Sequence, residues 1–539
     1  MKLQHSIVGP LILGSTKTLA SPNGHLSSFV ESRSPSLNWA PCDLDLPDAI
    51  KNAMRERGDC ATLEVPLDYT NQDSSETIDL QLIRFNATKE PFKGSVLWNP
   101  GGPGISGIET LALLGPDFRD IIGGHHHIIS FDARGTGKTI PFACDLKPAS
   151  SSPSRRSDSL PQAELWPYVK GEMWEDITAL AEACYESQKK YGRFIGTPFT
   201  ARDMMKIVDA LDEDGKLRYW GISYGTILGQ VVASMFPDRM GQVLLDSNFL
   251  ADAYLTSTGI GGPHDAEKSL VHLFSECVEL GPETCQLANY SGPDTTVQDL
   301  RTAVEKLFQK LIDTTELPAD SGLSPSEFPL AGNSILQRLK YAIMNDLSSP
   351  SMYPTIVDIL SYALDGEYKK ALDLYEEVPS EWNLGIESFQ GIACSDSSFR
   401  VESPDDLYSL YRAHLAESSF GDAIAANYMG CSVWKFTAAE TTNTNDLRNV
   451  NTSFPILVIN GAYDPNTSLR HAWQVSSRFR GSRMLVHGGV GHGVTSHASN
   501  CTLDAIAEYF IDGTLPEVGT VCKPNMLAFE YAEWLKNRA

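Results

Sequence analysis

Short runs of β-branched and aromatic residues recur along the chain at Ser95–Asn99 (SVLWN), Ile128–Asp132 (IISFD), Arg218–Ile222 (RYWGI), Gln242–Asp246 (QVLLD), Ile456–Asn460 (ILVIN) and Met484–His487 (MLVH). Runs this short and this continuously apolar predict strands buried on both faces, as in a parallel sheet. Between them, Arg202–Leu211 and Gly225–Phe236 carry helical spacing. Strand alternating with helix predicts an α/β protein with a mostly parallel central sheet and helices on both faces. The alternation breaks twice. Over about 145–200 the chain is first polar and serine-rich, notably at Ala149–Ser159 (ASSSPSRRSDS), and then helical. Over about 250–450 it reads as mostly helical, without a clear buried strand. That second stretch is expected to be a large helical cap inserted over the carboxyl edge of the sheet. The expected division is 21–248 and 453–539 for the core and 249–452 for the cap. No repeat of solenoid period is visible.

Composition narrows the partners. A formal net charge of -25 leaves no basic excess to displace counterions from a phosphate backbone, so no nucleic-acid partner is expected. Residues 1–20 have the form of a secretory leader: Lys2, the apolar run Ile7–Leu13, and the small-residue end Thr18-Leu19-Ala20 before Ser21. That run is too short to span a bilayer, and no later segment reaches membrane length. The ten cysteines include no CxxC pair, which argues against zinc-ribbon and thioredoxin-type motifs. An oxidising compartment would allow them to form disulfides. Sequence alone leaves the pairing open; neighbours in chain order are the expected partners, because each pair brackets one local segment. Asn-x-Ser/Thr triplets begin at Asn86, Asn289, Asn451, Asn466 and Asn500, in keeping with a secreted glycoprotein.

The chemistry concentrates where strands end. Gly221-Ile222-Ser223-Tyr224-Gly225 follows the strand RYWGI and precedes an apolar helix. In that strand–turn–helix context G-x-S-x-G is a nucleophile elbow, with glycines where the turn leaves no room for side chains. A serine hydroxyl is a poor nucleophile at neutral pH and needs a base and an orienting acid. In chain order after the serine come Asp464, past the strand ILVIN, and His492, in Gly489-Val490-Gly491-His492-Gly493 past MLVH. Both fall at strand carboxyl ends, where α/β sheets carry their sites. Asp246, after QVLLD, competes for the role of acid, and His487 for that of base. Pro100-Gly101-Gly102-Pro103-Gly104 follows SVLWN and lets backbone approach a reacting carbonyl. The N–H groups of Gly102 (Gly101 second) and Tyr224 are expected to form the oxyanion hole. No Lys-Ser/Thr follows that loop, which sets aside a P-loop. His125-His126-His127 alternate faces if they lie on a strand and cannot converge on one ion. No metal and no cofactor are expected.

These stretches resemble the tripeptidyl aminopeptidase group of the proline-iminopeptidase-like serine peptidases, in the α/β-hydrolase superfamily. The likeness lies in WNPGGPGISG (98–107), SFDARGTGKTIPFAC (130–144), YWGISYGTILGQ (219–230), ILVINGAYDPNTSLRHA (456–472), GVGHG (489–493) and the ending 501–522, and more thinly in the cap at GIACSD (391–396) and CSVW (431–434). It implies an α/β-hydrolase core, a helical cap, a Cys501–Cys522 bond in the C-terminal segment, and removal of short peptides from a free N-terminus. A small ester or lactone is the rival substrate, and a catalytically silent binding module the rival class. The chain departs from the group's pattern at Lys138-Thr139, at Ser247-Asn248 and at Asn466, which opens a glycosylation triplet beside the proposed acid. None of these is expected to touch the three catalytic candidates. An aminopeptidase must also hold a protonated amine, which in a partly buried site requires carboxylates. Asp396 and Glu387 in the cap are the candidates.

Overall fold

The computed structural model describes residues 37–145, 166–314, 316–317, 323, 332–375 and 385–538. The expected leader and the 149–159 loop lie outside them. Ten strands form one sheet: β1 (Ala40–Pro41), β2 (Asp59–Pro66), β3 (Thr77–Phe85), β4 (Ser95–Asn99) and β5 (His127–Phe131), followed by β6 (Leu217–Ile222), β7 (Met240–Asp246), β8 (Leu457–Tyr463), β9 (Arg483–Val490) and β10 (Val521–Cys522). Their spatial order is β1-β2-β3-β5-β4-β6-β7-β8-β9-β10. All pairs from β5 onward in that order are parallel, while β1, β2 and β3 form an antiparallel edge.

Successive residues of the central strands enter two different cores. Leu97, Tyr219, Val243, Leu245 and Val458 pack on one face, and Trp98, Trp220, Leu244, Leu457 and Ile459 on the other. The first face is covered by helices Thr197–Leu211, Tyr224–Met235 and Leu469–Ser476, through residues such as Met204, Val231 and Val475. The second is covered by Gly107–Ile121 and Asn500–Asp512, through Leu111, Ile506 and Phe510. With both faces dry, these strands read as unbroken apolar runs, and the six expected strands all form. β2 and β3 escape that reading. In β2, buried Ala61, Leu63 and Val65 alternate with exposed Thr62 and Glu64, the period-2 pattern of a strand wet on one face.

Between β7 and β8 the described residues form helices and no strand. Helices from Ala266 to Asp373 share a second core, built from residues such as Leu273, Leu307, Leu336 and Leu360, which Val490 of β9 and Phe529 near the C-terminus also enter. The later part of this insertion does not stand apart: Ile392, Cys394, Cys431 and Trp434 pack into the core on the sheet's first face. The disulfides are Cys42–Cys60, Cys144–Cys184, Cys277–Cys285, Cys394–Cys431 and Cys501–Cys522, neighbours in chain order throughout. Among the described residues no helix is long and apolar enough to cross a membrane.

Candidate active site

β6 ends at Ile222 and the next helix begins at Tyr224, which leaves Ser223 alone in the turn at φ 59° and ψ −120°. A non-glycine residue held there stores strain of about 1–3 kcal/mol, paid for by its surroundings. The Ser223 N–H donates to the Asp246 carbonyl at 3.0 Å, and its carbonyl accepts the Thr226 N–H at 2.8 Å. A Cβ at Gly221 would stand 2.3 Å from the Gly225 carbonyl oxygen, and one at Gly225 2.9 Å from that of Asn99. Both elbow glycines are therefore required by space.

The glycine loop after β4 lies against this turn. A Cβ at Gly101 would fall 2.8 Å from Ser223 Cβ and 3.1 Å from the Tyr224 nitrogen. The Gly101 N–H donates to Asn99 Oδ1 at 3.0 Å, so it is committed within its own loop. Gly102, at φ 102°, lines the same cavity as Ser223, Tyr224 and His492.

Asp464 and His492 follow β8 and β9, adjacent parallel strands, and meet beyond their ends. His492 Nδ1 lies 3.1 Å and 3.0 Å from the two Asp464 carboxylate oxygens. Asp464 is fully buried and accepts the Asn466 and Thr467 N–H groups, each at 2.9 Å, and the Thr467 hydroxyl at 2.7 Å. Burial pushes its carboxyl up, but His492 and the Thr467 donors outweigh burial and hold it below the ordinary carboxylate value. Burial lowers the His492 pKa and the facing Asp464 raises it more, so the net shift is upward. The His492 loop is tied down along its backbone. The His492 N–H donates to the Ser348 carbonyl at 2.8 Å, that of Gly493 to Ser247 Oγ at 2.7 Å and that of Val494 to Asp246 Oδ1 at 3.1 Å.

The competing carboxylate and imidazole bond other partners. Asp246 is buried, with its carboxyl pushed up to about 7 by burial, and it supports the His492 loop through Val494. Its neighbours Ser247 and Asn248 are buried in the same support, Asn248 donating to the Leu245 and Ile459 carbonyls. His487 Nδ1 lies 2.9 Å from Thr502 Oγ1 in the interior. His126 contacts the Gly94 and Phe510 carbonyls, and His127 Nδ1 accepts the Ala87 N–H.

Among the described residues, neither carboxylate expected to face a substrate amine lines the cavity. Asp396 is buried behind it, accepting the Thr197 N–H at 2.7 Å, the Thr197 hydroxyl at 2.6 Å and the Tyr254 hydroxyl at 3.1 Å. Its carboxyl is raised to about 6, chiefly by burial. Glu387 accepts the Cys144 N–H at 2.8 Å. Asn466, expected to leave the catalytic candidates untouched, donates its N–H to Asp464, while Thr467 and Ser348, which also shape the site, were not singled out from sequence. Thr467 and Asn466 carried a usable signal, because an aspartate accepting N–H groups two and three residues on is an Asx-type turn. Ser348, more than a hundred residues before His492, carried none.

Two family models match the chain: an alpha/beta hydrolase fold model over residues 94–261 and a TAP-like protein model over 416–522. A tripeptidyl aminopeptidase of Streptomyces lividans is 24% identical over 91% of this chain and 87% of its own length. The serine protease Hip1 of Mycobacterium tuberculosis is 26% identical over 90% and 91%. A protein named carboxylesterase B, also from Mycobacterium tuberculosis, is 24% identical over 96% and 95%. The first model spans the glycine loop and the elbow, and the second spans Asp464 and His492: the chain has the alpha/beta hydrolase fold, and its C-terminal part matches a TAP-like segment.

Proposed function

We propose that the protein is a secreted serine peptidase that removes short peptides, tripeptides foremost, from free N-termini through an acyl-enzyme on Ser223. The observation that carries this reading is His492, held by the buried Asp464, lining the same cavity as Ser223 and Gly102 of the glycine loop. In the proposed mechanism His492 Nε2 takes the Ser223 proton as Oγ attacks the scissile carbonyl. The Gly102 and Tyr224 N–H groups hold the oxyanion, with the Tyr224 N–H at the positive end of its helix. Asp464 fixes the imidazole tautomer and stabilises its charged form. The leaving amine takes the proton from His492, and water then hydrolyses the acyl-enzyme. The peptidase reading draws support from the relatives named tripeptidyl aminopeptidase and serine protease. Secretion draws support from five disulfides.

A second reading, an ester hydrolase with the same machinery, is favoured by the relative named carboxylesterase B. The two separate on one panel: tripeptidyl amides with free and with acetylated N-termini against simple esters, alongside fluorophosphonate labelling. The peptidase reading expects labelling that Ser223→Ala abolishes, and faster turnover of free than of acetylated tripeptidyl amides. Turnover confined to esters would leave only the second reading, and undiminished turnover by Ser223→Ala would remove both.

A further inference from the structure

The cavity beside Ser223 has a volume of about 180 Å³. An apolar cavity of roughly 150 Å³ accommodates a benzene molecule, so this one has room for a single large side chain. Ile227, Phe249, Tyr254, Met344, Phe389 and Tyr428 form much of its wall. Two of the tyrosines around it have their polar ends drawn away. Thr197 Oγ1 donates to Asp396 Oδ2 at 2.6 Å, which spends its only proton. The Tyr224 hydroxyl, 2.6 Å from the same Oγ1, is therefore the donor in that contact. The Tyr254 hydroxyl donates to Asp396 Oδ2 at 3.1 Å. Asp396 thus collects, directly or through Thr197, the hydroxyl protons of both tyrosines, and their rings remain as cavity wall.

Resting on the nucleophilic role of Ser223 and on a peptide or ester substrate, we propose that this cavity is a one-residue acyl-side pocket. It takes the uncharged apolar side chain, up to aromatic size, of the residue whose carbonyl is attacked. Asp396 is a positioning residue that, through Thr197 and Tyr254, keeps the pocket apolar. Tyr224 and Ile227 belong to the helix that starts beside Ser223, which places this wall on the nucleophile's side. The leaving group instead follows the proton from His492. A basic side chain would bury its ammonium where no carboxylate among the described residues lines the wall. Asp396 does not serve it, being already engaged by three donors.

The test is a series of Ala-Ala-X p-nitroanilides with X as Phe, Leu, Ala, Lys or Glu, run beside p-nitrophenyl esters of acetate, butyrate and phenylpropionate. Phe or Leu should exceed Ala in kcat/KM by about tenfold or more, with Lys and Glu below Ala, and phenylpropionate should exceed acetate similarly. A Lys substrate as good as Phe, or a flat ester series, overturns the pocket. Amides left uncleaved while the esters keep the apolar preference would instead sink the peptidase reading and support the pocket. Asp396→Asn and Thr197→Val should each shrink the Phe-to-Ala (or phenylpropionate-to-acetate) ratio several-fold, and Thr197→Ser should restore it. The serine/valine pair decides the matter if Asp396→Asn fails to fold. An unchanged ratio in Thr197→Val overturns the positioning role.

Discussion

Ser223, Asp464 and His492 differ in what holds them, and the differences have measurable consequences. Asp464 receives His492 Nδ1 and three donors from Asn466 and Thr467, whereas the Asp246 carboxylate receives the Val494 N–H. Asp464→Asn offers the imidazole the wrong tautomer and should lower kcat by about 10⁴. In Asp246→Asn the carboxamide oxygen can still accept from Val494, and most turnover should survive. Steady-state kinetics of the pair checks the assignment, and the opposite ranking would transfer the role of acid to Asp246. The pH profile follows from the same contacts. His492 acts as a base only when neutral, and Asp464 raises its pKa above the ordinary 6.5. Activity should therefore fall away on the acid side through a pH above that value, and the residual activity of Asp464→Asn should hold to lower pH. A kcat/KM profile from pH 4 to 9 reads both.

At the scale of elements, the insertion does more than cover the site. Helix Gly332–Asp346 ends just before Ser348, whose carbonyl accepts the His492 N–H while its hydroxyl accepts Asn466 Nδ2 at 2.7 Å. One residue of the insertion thus bridges the loops that carry Asp464 and His492. Ser348→Ala removes the side-chain half of that bridge, a hydrogen bond of about 0.5–1.5 kcal/mol. It should cut kcat by about three- to tenfold with KM little changed, and Ser348→Thr should recover the loss; a change in KM alone would contradict this. The strands show where local pattern suffices. β4, β6 and β7 are legible because burial on both faces makes them continuous apolar runs. β2 and β3 are not, because a strand with one wet face writes only every second residue in apolar letters.

Across the whole molecule, the disulfides close loops of different lengths, and two of them lie within the insertion. Cys394–Cys431 closes 37 residues, next to helix packing in the sheet's core, and Cys277–Cys285 closes 8 within the helical insertion. Loop-closure entropy alone puts them at about 4 and about 2.5 kcal/mol. Replacing both cysteines of the first pair by serine should therefore lower Tm more than the same change in the second, as differential scanning calorimetry would show. The insertion's later part, with Ile392 and Trp434 in the sheet's core, should not melt in a transition of its own. Separate transitions would mean that this shared core contributes little cooperativity.

The parallel sheet, the elbow and the glycine loop were legible from the amino-acid sequence, and so was the meeting of Asp464 with His492, because each is written in a few consecutive residues at a strand end. The pairing of cysteines followed from proximity along the chain. What needed three dimensions were relations between distant segments. Ser348 reaches His492 across the insertion, and Thr197 joins Tyr224 to Asp396. Asp396 itself looked from its position in the cap like a partner for a substrate amine. Its role turned on which groups packing brought to its oxygens, and those were a threonine and a tyrosine from elsewhere in the chain. A carboxylate's chemistry is set by its neighbours, and the neighbours of a buried one are chosen by the fold.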